Sequence, residues 1–253
     1  FRKLMEQRDF VAIMSKPSRE HAFGTDDLGR DLLARAIYGG RISLLVGVVA
    51  MLIAISLGSA LGAVAGFFGG KIDQALMRLT DLFLSLPQLP LLLLTIYLFR
   101  EPVTKLLGPE VGIFMIVVTM VGRLAWMSTA RIVRALFLSL KEKEFVEAAT
   151  CLGIGRRSIM FRHILPNALS PIIVAATLEV GNAIITESTL SFLGVGFPPD
   201  TPTWGRLVTD GSQFLQAAPH MALIPGTLIF LTVLSINFMG DGLRDALDPR
   251  SRL

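Results

Sequence analysis

Apolar residues are not spread evenly along this chain; they gather into long runs separated by short charged stretches. The first run extends from about Ile42 to Phe68 (ISLLVGVVAMLIAISLGSALGAVAGFF) and carries no charge. A bilayer core about 30 Å thick is crossed by about 20 helical residues, so this run is long enough to span with some tilt. Within it Ala54, Gly58, Gly62, Gly66 and Gly70 recur at every fourth position. In lipid, small residues at that spacing form a flat stripe against which a second helix packs closely, and Gly58, Gly62 and Gly66 are read as such a packing face.

Four further spans are expected. One covers about Thr80 to Phe99 and contains Pro87 and Pro90, which remove backbone hydrogen bonds and should kink it. A third runs from about Val111 to Ile132 and includes Arg123; a fourth, from about Leu169 to Val195, includes Glu179 and Glu187; the fifth is about Met221 to Met239. The fold class is therefore all-α, a polytopic helical bundle. Composition agrees: 52% of the 253 residues are hydrophobic and 17% charged, against about 45–50% and about 25% in soluble domains. Mean hydropathy is +0.62.

Charge changes the picture in one respect, by setting orientation. The net charge of +4 reflects basic residues in loops, as expected of a membrane protein, and indicates no nucleic-acid partner. The segment between spans three and four carries Arg131, Arg134, Lys141, Lys143, Arg156, Arg157 and Arg162, which assigns it to the cytoplasm. The C-terminal tail, with Arg244, Arg250 and Arg252, falls on the same side. Residues 1–41 are then extracytoplasmic although they hold eight Lys or Arg beside six Asp or Glu. An upstream helix would resolve that conflict. The chain opens on Phe1 with no signal-peptide pattern, so a sixth, N-terminal span is expected before it.

Arg123, Glu179 and Glu187 lie at predicted membrane depth, where ionisable groups are costly unless paired or facing water. Two readings stay open for them: an ion pair involving Arg123, or lining of a solute path. Thr25 or Asp26 is expected to cap a helix from Leu28, in preference to Asp26, Asp27 and Asp31 holding a metal. Gly66 to Ile72 (GFFGGKI) lacks the spacing and hydroxyl of a phosphate loop and reads as a turn. Trp204 is expected to anchor at the membrane interface. Cys151 is the only cysteine, which excludes an internal disulfide. His21, His163 and His220 have no nucleophile or ligand set beside them in sequence, so no catalytic residue and no metal site is assigned.

The stretch SLKEKEFVEAATCLGIGRRSIMFRHILPNALSP is too polar to span and reads as a cytoplasmic helix-turn-helix. Phe145, Ala148, Ala149 and Leu152 fall at i, i+3, i+4 and i+7, one compact apolar face suited to a docked partner. Gly153 and Gly155 end the first helix, Arg157 to Ile164 form a second, and Pro166 ends that one.

Here the residues carry a family resemblance. Glu147-Ala148-Ala149, three residues, Gly153, and later Leu165-Pro166 resemble the signature of binding-protein-dependent ABC importer permeases: EAA, three residues, Gly, nine residues, Ile, one residue, LP. His163 holds the Ile position and Ile164 follows, a variant similar to the peptide and nickel branch. Gly24 to Asp31 (GTDDLGRD), Gly39 to Leu44, Leu190 to Gly194 (LSFLG), Pro202 to Gly205 (PTWG) and Gly240 to Pro249 (GDGLRDALDP) resemble further patterns of that branch. The chain is most similar to the C-type subunits of dipeptide, oligopeptide, glutathione and nickel importers. Phe197 to Asp200 (FPPD) departs from their QPP.

The resemblance implies a function. Two homologous permease subunits form a pore as a heterodimer in the bacterial inner membrane. Two ATP-binding subunits dock on them, and an extracytoplasmic solute-binding protein delivers peptide, or in relatives nickel or glutathione. It places the transmembrane permease domain at 42–253 and the coupling region at 141–167. Phe145, Glu147, Ala148, Ala149, Leu152, Gly153, Arg157, Leu165 and Pro166 would contact the ATPase. The chain would bind no cofactor itself; ATP and Mg would be used by the partner subunits. A self-contained secondary transporter would need an internal repeat and a midplane ion site, and neither is visible.

Overall fold

Glycines and prolines decide where the helices begin and end in the computed structural model, which describes residues 12–247. Arg250 and Arg252 of the C-terminal tail lie outside the described residues. Helix α1 (Leu32–Phe68) is a single 37-residue helix. It begins ten residues before the expected span and runs through the expected boundary at 41/42. The reason is the cap: Asp31 Oδ1 accepts the Ala34 N–H at 2.7 Å, and the LLARAIY run that follows is rich in helix formers. Thr25 and Asp26 therefore do not cap a helix from Leu28, as the sequence suggested. The Asp26 carboxylate instead accepts the Leu28 and Arg30 N–H groups in a turn.

Gly69 and Gly70, at φ +64 and +56, turn the chain from α1 into α2 (Gly70–Ser85). Gly70 is thus part of this turn and not of the packing stripe. Leu86 is extended because Pro87 follows it, and α3 (Gln88–Leu107) leaves at 83° to α2. Pro90 sits in the first turn of α3, where a missing N–H costs no helical bond. Gly108, at φ +82, leads into α4 (Pro109–Lys141), which is followed by α5 (Glu144–Cys151).

Helix α6 (Arg156–Phe192) corrects the expectation that Pro166 ends a short helix. Its residues Ile159–Ile164 form a π-helix, in which Leu165 N–H bonds to Met160 O. The wider turn accommodates a proline that would otherwise clash with the preceding turn, and Asn167 Nδ2 donates to the His163 carbonyl at 2.6 Å. Helix α7 (Trp204–Ser212) is capped by the Thr203 hydroxyl, and α8 is His220–Leu247. Among the described residues four helices, α1, α4, α6 and α8, are long and apolar enough to cross a membrane, or five if the bent pair α2–α3 is one span.

The chain divides into two compact units, and the long helices contribute to both. In the unit formed by residues 1–48, 93–118 and 181–235, Leu32, Ala36, Trp204 and Leu207 form a buried cluster. Arg30 and Arg35 converge there on Asp26, with Arg30 Nε at 2.7 Å. Asp210 lies 2.9 Å from Arg206 Nε and 3.6 Å from Arg35 Nη2. Burial pushes the Asp210 carboxyl above the usual carboxylate range, against the pull of Arg206 and Arg35.

The unit formed by residues 49–92, 119–180 and 236–253 is organised by the glycine stripe. A Cβ added at Gly58 would stand 2.5 Å from Thr129 Cβ, at Gly62 2.4 Å from Ala130 O, and at Gly66 2.7 Å from Arg134 O. From the other helix, Gly122 faces the Ala50 carbonyl at 2.7 Å on the same measure. Helices α1 and α4 therefore touch along their backbones. We predict that Gly62→Val lowers the thermal stability of the detergent-solubilised protein by about 1–3 kcal/mol through overpacking. Gly226→Ala in α8, where an added Cβ meets nothing, should be neutral or stabilising by up to about 1 kcal/mol through helix propensity. Equal melting shifts in the two variants would contradict the close-packing account.

Candidate functional site

Eight residues are too few for a stable isolated helix, so α5 depends on what holds it. Val146 and Ala149 point inward and join Val133 and Phe137 of α4, Phe67 of α1, and Ile159 and Ile164 of α6 in one buried cluster. The C-terminal end is fixed by a Schellman motif. Ile154 N–H bonds to Ala149 O at 3.1 Å, Gly153 N–H bonds to Thr150 O at 3.0 Å, and Gly153 takes φ +72. Gly155 is not left-handed; it is the extended residue that starts α6.

What remains outward is the candidate contact surface. Phe145 is 38% exposed and Leu152 80%, with Ala148 and Glu147 also exposed between them. Ala149 is corrected: at 4% exposure it belongs to the chain's own core, because the helix rotates Val146 and Ala149 together onto α4. Gly153, Arg157 and Pro166 are exposed, and Leu165 packs partly against the same cluster. Phe161, 58% exposed on the π turn, adds an apolar group to the segment that sequence reasoning passed over. Beside α5 opens a cavity of about 490 Å³ lined by Phe67, Phe68, Lys141, Glu147, Arg156 and others.

The three intramembrane charges differ in their burial. Arg123 is exposed on α4 and Glu179 half-buried on α6. Glu187 is fully buried, and its carboxylate is held by hydroxyls and not by Arg123. Ser191 Oγ and Thr203 Oγ1 each donate to Oε1 at 2.8 Å, and Ser43 Oγ donates to Oε2 at 3.3 Å. Neither an ion pair with Arg123 nor exposure to a path describes it in this chain.

Around Glu187 the structure collects segments that are far apart in sequence. Ser43 Oγ accepts the Trp204 N–H at 3.2 Å, and Trp204 Nε1 donates to Ala36 O at 2.9 Å. Gly39 and Gly40 make room for Thr203 and the indole: a Cβ at Gly40 would stand 2.6 Å from Trp204 Cζ2. Trp204 is thus a core residue, 7% exposed, and not the interfacial anchor its type suggested. Its N–H is satisfied by a helix carbonyl, which makes burial affordable for an amphipathic ring.

Comparison with known proteins decides what this helical chain with an outward-facing polar segment is. Residues 58–253 match the family described as "Binding-protein-dependent transport system inner membrane component". The chain belongs to that family. It is 43% identical to the "Oligopeptide transport system permease protein OppC" of Haemophilus influenzae over 249 residues, covering 98% of this chain and 76% of that protein. It is 43% identical to the "Dipeptide transport system permease protein DppC" of Alkalihalophilus pseudofirmus, covering 93% and 74%, and 41% identical to OppC of Escherichia coli K12, covering 98% and 79%.

Among solved structures, a chain of the MetNI methionine ABC transporter in an inward-facing conformation superposes with TM-score 0.68 at 19% identity, over 86% of this chain and 98% of that one. A chain of an amino acid ABC transporter crystallised with histidines superposes with TM-score 0.59 at 17% identity, over 85% and 95%. These share the fold. This member of the permease family is a multi-pass membrane protein, and the EAA-type segment that carried the resemblance is α5 with its glycine cap.

The Glu187 site generates a test of its own. Glu187→Ala leaves three buried hydroxyls without their acceptor and opens a small cavity, which should cost about 2–4 kcal/mol. Thr203→Val removes one donor and the α7 cap and should cost about 1–2 kcal/mol. Thermal melting of the two variants in detergent checks both the size and the order of these losses.

Proposed function

We propose that this chain is one of two homologous pore-forming subunits of an ATP-driven importer in a bacterial inner membrane. Segment 141–167 docks on a separate ATP-binding subunit, and ATP and Mg are used there and not by this chain. An extracytoplasmic binding protein delivers the solute to the opposite face. The observation that carries this reading is the geometry of α5. A short helix is anchored by Val146 and Ala149 and stopped by Gly153, and it turns Phe145, Ala148 and Leu152 outward beside Glu147. A rigidly mounted apolar face surrounded by charges is what a coupling contact to a moving partner requires.

The solute we infer is a peptide. The relatives that are 41–43% identical to this chain are named as oligopeptide and dipeptide permease proteins. In this reading Arg123, exposed on α4, and Glu179 on α6 are candidates for the path wall, while Glu187 is structural. Uptake of labelled di- and oligopeptides by vesicles holding the complete transporter tests the solute class; transport of nickel or glutathione without peptide transport would replace it.

The docking reading has a sharper test. Glu147→Lys reverses an exposed charge in the first turn of α5 at a folding cost of about 1 kcal/mol, and Gly153→Pro imposes φ near −65° where +72° is needed. Both proteins should insert in the membrane. Both should lose co-purifying ATPase, or lose uptake by about tenfold or more, the effect of removing one interface hot spot. Wild-type uptake and association in both variants would refute the assignment. The purified chain alone should hydrolyse no ATP.

A further inference from the structure

Two arginines of α4 reach across to α2. Arg131 Nη2 meets Asp81 Oδ1, and Arg134 forks onto Asp73, with Nη2 at 2.6 Å from Oδ2 and Nε on Oδ1. The two pairs are not equivalent. Arg131 and Asp81 are 52% and 60% exposed, and an open ion pair of that kind contributes little. Arg134 and Asp73 are 34% and 13% exposed and bidentate, the geometry in which an arginine-carboxylate pair fixes orientation as well as distance.

The position of Arg134 gives this fork a mechanical setting. Its carbonyl lies where a Cβ on Gly66 would be, so the backbone at Arg134 rests on the last turns of α1. Its neighbours Val133 and Phe137 are packed with Val146 and Ala149 of α5. Its side chain holds the first turn of α2, and α2 ends at Leu86 and Pro87, where the chain bends by 83°. Unlike α1, which touches α4 by its backbone, α2 leaves α1 through the positive-φ pair Gly69 and Gly70, where an added Cβ would meet no neighbouring atom.

We propose that Arg134 and Asp73 are positioning residues that form the joint by which displacement of α5 is passed through α4 to α2 and its proline bend. The proposal rests on the docking reading of α5. Displacing α5 moves Val133 and Phe137, because a packed core transmits strain without compressing. The arginine between them turns with α4, and its two parallel bonds carry α2 along as a lever about the Gly69-Gly70 turn. A single-bonded or exposed pair would pivot and lose that motion; a fork does not. The joint touches no solute and needs none.

The experiment uses the complete transporter, with its second permease subunit, ATPase subunits and binding protein, reconstituted in liposomes. Solute taken up per ATP hydrolysed is measured beside ATPase co-purification for R134Q, D73N and the double variant. Each single change should lower the uptake ratio about fivefold while leaving ATPase association at the wild-type level. The double variant should be no worse than the worse single, since both remove one and the same fork. R134K, which keeps the charge and loses the fork, should resemble R134Q. An unchanged ratio in R134Q, effects that multiply in the double variant, or loss of ATPase association in R134Q and D73N would each overturn the joint. E147K separates the two readings. If it docks and transports as wild type, the docking assignment of α5 has failed; if it is impaired while R134Q is normal, the joint alone has failed.

Discussion

Between α1 and α4 the chain gives up side chains in order to gain backbone contact. Gly58, Gly62 and Gly66 on one helix and Gly122 on the other leave carbonyl oxygens of the facing helix where a Cβ would stand. In lipid an apolar surface gains little by leaving one hydrocarbon for another, so helices are held by the density of contact and not by expulsion of water. Removing the side chains lets dispersion act over the whole length of the seam. Everything mounted on α4 in this unit inherits its position from that seam. Val133 and Phe137 are fully buried because α1 lies so close, and the floor they make is what Val146 and Ala149 of α5 rest on.

Helix α5 shows how an outward-facing surface is built from that floor. An eight-residue helix is marginal by propensity, and Lys143, at the N-cap position before it, offers no side-chain cap. Two buried side chains, the Schellman closure at Gly153, and Glu144 and Glu147 in the first turn against the helix dipole together fix it. Burial of Val146 contributes about 1.5–3 kcal/mol and the carboxylates about 0.3–1 kcal/mol each. With that much stability supplied from below, Phe145, Ala148 and Leu152 are left to face outward.

How much of this was legible in the sequence follows from the range of the interactions. Spans of about 20 apolar residues are a one-dimensional property, and so is the four-residue glycine period; both were read directly. The bend at Pro87 and the stop at Gly153 were legible because they are local backbone rules. Pro166 was misread because a π turn absorbs it, and nothing in a local rule chooses between ending a helix and widening it. Ala149 was misassigned because an i, i+3, i+4, i+7 pattern names a face without saying which edge of it turns inward. The settings of Glu187, Trp204 and Asp73 were not legible. Their partners lie up to 144, 168 and 61 positions away, and three scattered hydroxyls carry no signal until the fold gathers them.

The two units also hold their helices by different physics, with a dynamic consequence. Around Glu187 and Asp26 the contacts are buried and directional: a carboxylate accepting three hydroxyls, another accepting two guanidinium groups and two amides. Such a site specifies one register, because a displacement of an ångström or two breaks several bonds at once and leaves their partners unsatisfied. Along the glycine seam the contacts are dense but carry no direction, so a small slide exchanges one set of van der Waals contacts for a similar one. Shear of this kind between packed helices is a recognised mode of conformational change. The polar segment is mounted on the seam and not on the hydroxyl cluster. The exposed face of α5 is therefore attached where sliding costs least.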